Sequence, residues 1–213
     1  MSRPVRAGRF ITFEGGEGTG KSTQVRRLAE RLEAEGREVV RTREPGGSPG
    51  AEEIRALLVT GETDRWSPVA ETLLLYAARA DHLERVIRPA LARGAWVISD
   101  RFADSTRAYQ GAGGGGAPGL IAALEREVVG RDRPDLTLVL DLPPESGMGR
   151  VSARGEAQTR FEAQGADFHA RLRQAFLEIA VEEPDRCAVI DASPTADEVA
   201  DAVWAIVGER LDA

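Results

Sequence analysis

Arg9-Phe10-Ile11-Thr12-Phe13-Glu14-Gly15-Gly16-Glu17-Gly18-Thr19-Gly20-Lys21-Ser22 is the stretch that decides the fold class. Its first five residues form an apolar, β-rich run, and residues 24–32 beyond it read as a helix. Between them, Gly15 to Ser22 matches G-x-x-x-x-G-K-[ST]. At that spacing a glycine loop turns backbone N–H groups and a helix N-terminus onto phosphate oxygens. Lys21 is the only lysine of the chain; the other 27 of its 28 basic residues are arginine. A compact ammonium follows a moving phosphoryl group as a point charge where a planar guanidinium does not fit. The loop residues Gly15, Gly16, Glu17, Gly18, Thr19, Gly20, Lys21, Ser22 and Thr23 are therefore expected to cradle the phosphates of a nucleotide. Lys21 would bridge to the transferred group, and the Ser22 hydroxyl would hold Mg²⁺.

Outward from this loop, short apolar runs at 10–13, 38–42, 96–99, 136–140 and 188–190 alternate with longer helical patterns. Those patterns cover 21–35, 51–58, 68–93, 120–129, 145–154, 167–182 and 195–209. Such alternation implies right-handed β-α-β crossovers and a parallel sheet covered on both faces, with strand 10–13 central. Ser67 is a helix cap with Pro68 at the first helical position, Pro89 should kink that helix, and Gly94 should end it. Residues 111–119, with six glycines and one proline, read as a loop. No interdomain linker is visible, so 1–213 is expected to be one domain.

Bulk properties narrow the partners. A net charge of −7 argues against broad nucleic-acid binding and leaves basic residues to build local sites. There is no 18-residue apolar run, so no membrane association is expected. The lone Cys187 suits a reducing cytoplasm and, lying in a predicted strand, reads as a buried thiol.

Further groups fall where parallel strands end, and ligands bind outside the carboxyl ends of such strands. Asp100 closes the third strand and is a candidate for ordering hydrated Mg²⁺; Arg101, next to it, can grip a phosphate in a bidentate manner. Arg43-Glu44-Pro45-Gly46-Gly47 follows the second strand, with Arg55 on the next helix, as a candidate wall of the same crevice. Arg150 and Arg154 share one helix face, and with Arg160 they could close over a γ-phosphate or simply form a solvated face. Glu17 is awkward inside an anion-binding loop: it is either a solvated charge or an acceptor for a hydroxyl of the second substrate.

Taken in order, these pieces resemble thymidylate kinase. The resemblance runs through Phe13 to Thr23, Thr42-Arg43-Glu44-Pro45-Gly46-Gly47, Tyr76-Ala77-Ala78-Arg79 and Ser99-Asp100-Arg101-Phe102. It continues through Asp104-Ser105-Thr106-Arg107-Ala108-Tyr109-Gln110-Gly111 and Arg133-Pro134-Asp135. It implies a P-loop nucleoside monophosphate kinase fold, α/β with a five-stranded parallel sheet and a mobile lid near 147–165. The implied reaction is phosphoryl transfer from MgATP to dTMP in a cytoplasmic homodimer. Lys21, Asp100, Arg101, Arg150 and Arg154 would be catalytic, with Ser22 and Asp100 at the metal. The implied dTMP pocket comprises Glu17 at the sugar 3′-hydroxyl, Glu44, Pro45, Arg55 and Arg101 at the phosphate, Arg79 at a thymine carbonyl, and Leu75, Ser105, Thr106, Tyr109 and Gln110. Lid arginines, rather than one in the loop, resemble the bacterial type. Leu75 stands where the family usually stacks an aromatic ring on the base, and Tyr76 beside it is the alternative occupant. Another nucleoside monophosphate or deoxynucleoside kinase is the competing reading; a switch lacks support, since no Asn-Lys-x-Asp is present.

Overall fold

The structure, a computed structural model, describes residues 8–62, 64–113, 115–153 and 159–211. Five parallel strands form one sheet in the order β2-β3-β1-β4-β5. The strands are β1 (Phe10–Glu14), β2 (Val39–Arg43), β3 (Trp96–Asp100), β4 (Leu136–Asp141) and β5 (Cys187–Asp191). β1 is central, and all five of its residues are buried. Helices cover the sheet: α1 (Lys21–Ala34), α2 (Pro49–Val59), α3 (Pro68–His82), α4 (Arg88–Ala92), α5 (Ala103–Thr106), α6 (Pro118–Leu124), α7 (Pro144–Ala153), α8 (Ala166–Glu182) and α9 (Ala196–Leu211). One core packs β1, β3 and β4 against α1 and α9 through Ile11, Leu28, Leu32, Ile98, Leu138 and Val203. Others lie on α3–α4 (Phe10, Tyr76, Leu83, Ile87) and on α8 (Leu172, Phe176, Ile179), and apolar burial on this scale is the main force holding the layers.

Two expectations change. The helix expected over 68–93 is helical throughout but not uniform: a π-helical turn, Leu83–Ile87, links α3 to α4, with Arg88 N donating to Leu83 O. Pro89 has no N–H to give, and one widened turn accommodates its ring at the place where a kink was expected. The glycine-rich stretch is less irregular than its composition suggests. α5 runs on into a π-helical turn, Arg107–Gly113, and α6 starts at Pro118, the favoured first helical position. Ser67 does cap α3, its side chain accepting from Ala70 N, and Gly94 closes α4 at φ 90°.

In the sheet interior, Thr12 Oγ1 and Thr137 Oγ1 lie 2.8 Å apart. Arg186 Nη1 donates to Thr137 Oγ1 and to Asp104 Oδ2, each at 2.6 Å. This knot ties β1 and β4 to the segment that follows β3, so the base of the crevice is set by polar contacts as well as packing. Thr137→Val keeps the volume but leaves the Thr12 hydroxyl buried and takes an acceptor from Arg186. A loss of about 1–3 kcal/mol is expected in urea denaturation, the usual cost of an orphaned buried polar group.

Candidate active site

The loop after β1 is built by conformations that glycine adopts freely: Gly15 at φ 130°, Gly18 at φ 69° and Gly20 at φ 89°. Gly20 caps α1, aiming that helix's free N–H groups into the loop. A methyl on Gly18 would meet Gly147 O at 2.1 Å, and one on Gly147 would meet Glu17 O at 2.2 Å. The phosphate loop therefore rests backbone to backbone on the first turns of α7.

Lys21 lies within this cradle, its Nζ donating to Gly16 O at 2.6 Å, Gly15 O at 3.2 Å and Thr19 Oγ1 at 3.3 Å. Burial, then the like charge of Arg101, bring its pKa down to about 8, against the pull of Glu17, Asp100 and Glu14. An incoming phosphate would supply the anionic partner that this ammonium lacks. Ser22 Oγ donates to Asp100 Oδ2 at 2.6 Å, joining the two residues expected at the metal. No group of three or more His, Cys, Asp or Glu side chains forms a metal cage among the described residues. One hydroxyl and one carboxylate do fit a cation that keeps most of its waters and takes phosphate oxygens, as Mg²⁺ does.

Arg101 is the one non-glycine residue with a positive φ, 71°, among the described residues. Phe102 N donates to Glu14 Oε1 at 2.8 Å and Ser105 Oγ to Glu14 Oε2 at 2.6 Å, so Glu14 holds the turn in which Arg101 sits. Burial and then the charge of Asp104 push the Glu14 carboxyl up. The strain points Arg101 across the crevice mouth, where Nη1 donates to Gly15 O at 2.9 Å and Nη2 to Glu17 Oε1 at 3.1 Å.

Glu17 thereby loses its awkwardness. Its Oε1 also accepts from the Tyr109 hydroxyl at 2.6 Å. Burial opposes its charge, but Arg101, Lys21 and that hydroxyl outweigh burial and bring its pKa down to about 2. Oε2 has no hydrogen bond among the described residues and could accept from a ligand hydroxyl.

Arg79 is 2% exposed. Its Nε donates to Glu44 Oε2 at 2.8 Å, and its Nη2 to Thr106 Oγ1 at 2.9 Å and Phe102 O at 3.1 Å. The buried Nη1 has no hydrogen-bond partner among the described residues. A guanidinium fixed on three sides with one donor open can receive a ligand carbonyl. Glu44 was expected to line the acceptor pocket; its carboxylate lies between Arg79 and His82, 3.0 Å from His82 Nδ1, and so aims Arg79. Ser105, likewise, spends its hydroxyl on Glu14 and accepts from Arg101 at 3.2 Å.

One crevice of about 620 Å³ gathers these groups. Its lining includes Glu17, Gly18, Gly20, Lys21, Ser22, Thr23, Glu44, Pro45, Arg55, Leu75, Arg79, Asp100, Arg101, Ser105, Thr106, Tyr109, Gln110 and Arg150. Arg55 leans over Pro45, donating to its carbonyl oxygen at 2.7 Å. Tyr76 is core: its ring lies under Arg79 at 4.6 Å and its hydroxyl donates to Ile121 O, so Leu75 is the neighbour that meets the crevice. Arg150, at the crevice wall, donates to Ala192 O at 3.1 Å and Ser193 O at 3.4 Å. Those carbonyls follow β5, outside any ladder, and need donors of their own. Arg154 lies outside the described residues. Arg160 is buried in a structural role, its Nε donating to Leu58 O at 3.0 Å.

Sequence reasoning missed Glu14, Glu71 and His82 as members of the site. Glu14 ends a strand, the same signal that marked Asp100. Glu71 and His82 share a face of α3 with Leu75 and Arg79, at spacings of three and four.

A family model described as thymidylate kinase matches residues 13–203. The chain is similar to the thymidylate kinase of Caulobacter vibrioides, 65% identical over 204 residues and covering 96% of this chain and 98% of that protein. It is 55% identical over 213 residues to the thymidylate kinase of Bradyrhizobium diazoefficiens, covering 99% of this chain and 93% of the other. A crystal structure of thymidylate kinase from Ehrlichia chaffeensis superposes with a TM-score of 0.76 at 34% identity, over 94% of this chain and 98% of that one.

Glu17→Gln tests the charge balance of the site. A carboxyl whose folded pKa lies below its ordinary value of 4.5 stabilises the fold fully above about pH 4.5 and loses that contribution as pH falls toward about 2. The variant should therefore be less stable than the parent at pH 7, by on the order of 2 kcal/mol. Thermal melts from pH 7 down to pH 3 should show the gap closing; a gap independent of pH would contradict the assigned ion pair.

Proposed function

The chain belongs to the thymidylate kinase family, and on that premise we propose that it transfers the γ-phosphoryl group of MgATP to dTMP, giving dTDP and ADP. The observation that carries this reading is the meeting in one crevice of a phosphate loop bearing the sole lysine and of Arg79 with its one open donor. The loop amides and Lys21 hold the donor's phosphates. Lys21 follows the charge as it shifts to the leaving β-phosphate, while Arg55 and Arg101 hold the acceptor phosphate in line for attack on the γ-phosphorus. Glu17 Oε2 accepts from the sugar 3′-hydroxyl, and Tyr109, packed beneath Arg101 at 4.9 Å, closes the space beside the sugar. Arg79 Nη1 donates to a thymine carbonyl. Mg²⁺, held by Ser22 and ordered by Asp100, would neutralise phosphate charge.

Arg150 and Arg154 are the proposed transition-state arginines. Engagement of Arg150 with the γ-phosphate exchanges its two carbonyl partners for charged oxygens, which accept more strongly. The Ser22–Asp100 contact, and family membership, support Mg²⁺ as the cation. Exposed Leu57, Val69 and Leu73 on α2 and α3 support a homodimer through that face. No helix among the described residues is long and apolar enough to cross a membrane, which accords with a cytoplasmic enzyme.

The test is ADP release followed by a coupled assay, with dTMP and a panel of other nucleoside monophosphates. Turnover should depend on dTMP; dependence on another acceptor, or slow hydrolysis indifferent to all of them, would overturn the assignment.

Leu75→Phe sharpens the base pocket. Leu75 lines the crevice without a ring, and Tyr76 does not substitute for it because its own ring is core. A phenylalanine should tighten dTMP binding in calorimetric titration by up to roughly tenfold, the worth of one stacking contact. Unchanged or weaker binding would show that position 75 does not lie against the base.

A further inference from the structure

Gln110 lines both the main crevice and a second cavity of about 280 Å³, where Glu71 and Arg160 stand. The residue is 3% exposed, and its Nε2 donates to Glu71 Oε1 at 2.7 Å. The other oxygen of Glu71 accepts from Arg160 Nη2. Arg160 is itself fixed, with a side chain 2% exposed and Nε donating to Leu58 O. The chain Arg160–Glu71–Gln110 has a chemical direction. A guanidinium has donors only and an ionised carboxylate acceptors only, so the amide meeting Glu71 must do so with its NH₂ group. The Gln110 carbonyl oxygen, which has no hydrogen bond among the described residues, is then turned away from Glu71.

We propose that Glu71 is a positioning residue for base selection: it fixes the Gln110 amide so that the carbonyl faces the crevice and accepts from the ring N–H of a 4-oxo pyrimidine. This rests on the dTMP reading of the crevice. Arg79 Nη1 presents a donor and Gln110 Oε1 an acceptor, matching the O4 and N3–H of thymine or uracil. Cytosine offers the reverse pattern, an amino donor and a bare ring nitrogen, and meets a donor with a donor and an acceptor with an acceptor. Discrimination of this kind is strong because the site's buried polar groups are left unpaired by the wrong base.

Replacing Glu71 with glutamine reverses the arrangement. Arg160, having donors only, takes the new carbonyl oxygen and leaves the new NH₂ group facing Gln110. Gln110 must then offer its carbonyl to residue 71 and its NH₂ group to the crevice. The paired substitution Glu71→Gln with Gln110→Glu restores the pattern without changing net charge, since a carboxylate at 110 accepts from residue 71 with one oxygen and faces the base with the other.

The experiment measures kcat and KM for dTMP and dCMP in the parent, in Glu71→Gln and in the paired variant, with thermal melts of all three. Glu71→Gln should raise the KM for dTMP and lower the dTMP-to-dCMP ratio of kcat/KM by about ten- to a hundredfold, the cost of a buried donor facing a donor. The paired variant should recover most of that ratio. An unchanged ratio in Glu71→Gln, an equal loss for both acceptors, or a paired variant no better than the single one would overturn the inference while leaving dTMP turnover by the parent intact. Should Glu71→Gln not fold, the ratio in the paired variant decides alone: near the parent's it supports the inference, far below it refutes it. A parent without dTMP turnover overturns the acceptor reading, and the inference with it.

Discussion

The register of three neighbouring strands sets the level at which the site is built. Asp100 stands opposite Phe13 on one side and Arg43 on the other. The ladder continues one step beyond the strands, with Arg101 N donating to Phe13 O and Glu44 N to Asp100 O, each at 2.9 Å. The chain thus leaves β1, β2 and β3 at one height, and the phosphate loop, the Glu44–Gly47 turn and the Arg101 turn open onto a common space. A slip of one residue would turn the side chains of a strand to its opposite face. Placement of the chemistry here is first a matter of backbone hydrogen bonding.

Within that frame, buried charge is tolerated because each charge is held by more than one partner. Glu44 is shared by Arg79 and His82, and the same imidazole lies 2.6 Å from Thr42 Oγ1. Arg79 has five nitrogen–acceptor or ring contacts and still keeps one donor open. Taking such groups out of water is costly, and stability alone would favour apolar residues of similar volume. The gain is rigidity: a guanidinium clamped on three sides holds its free donor in place and spends little entropy when a ligand carbonyl arrives.

Much of this was legible in the amino-acid order because the strongest signals are local. A buried apolar run, glycines at the spacing of a phosphate loop and an acidic residue at a strand end each carry their meaning within a few residues; β1 was legible that way, and Lys21, Ser22 and Asp100, singled out on the same signals, line one crevice. Element ends were harder. Glycine content argued for a loop over 111–119, yet helical backbone runs into it from Arg107 and resumes at Pro118. The supporting residues were the least visible. Glu14 acts on Phe102 and Glu71 on Gln110, across 88 and 39 positions, and neither has a motif of its own. Their partners are set by tertiary folding. Only the stripe Glu71, Leu75, Arg79, His82 along α3 was available as a clue, and a stripe of mixed polarity reads equally well as surface.

The contact between Gly18 and Gly147 has a consequence for how the enzyme can change, both in motion and in descent. Two backbones touch there with no side chain to compress, so the packing leaves no slack between the phosphate loop and the root of α7. In descent the two positions behave as a single site. Enlarging one residue cannot be offset by shrinking the other, because neither has anything left to remove.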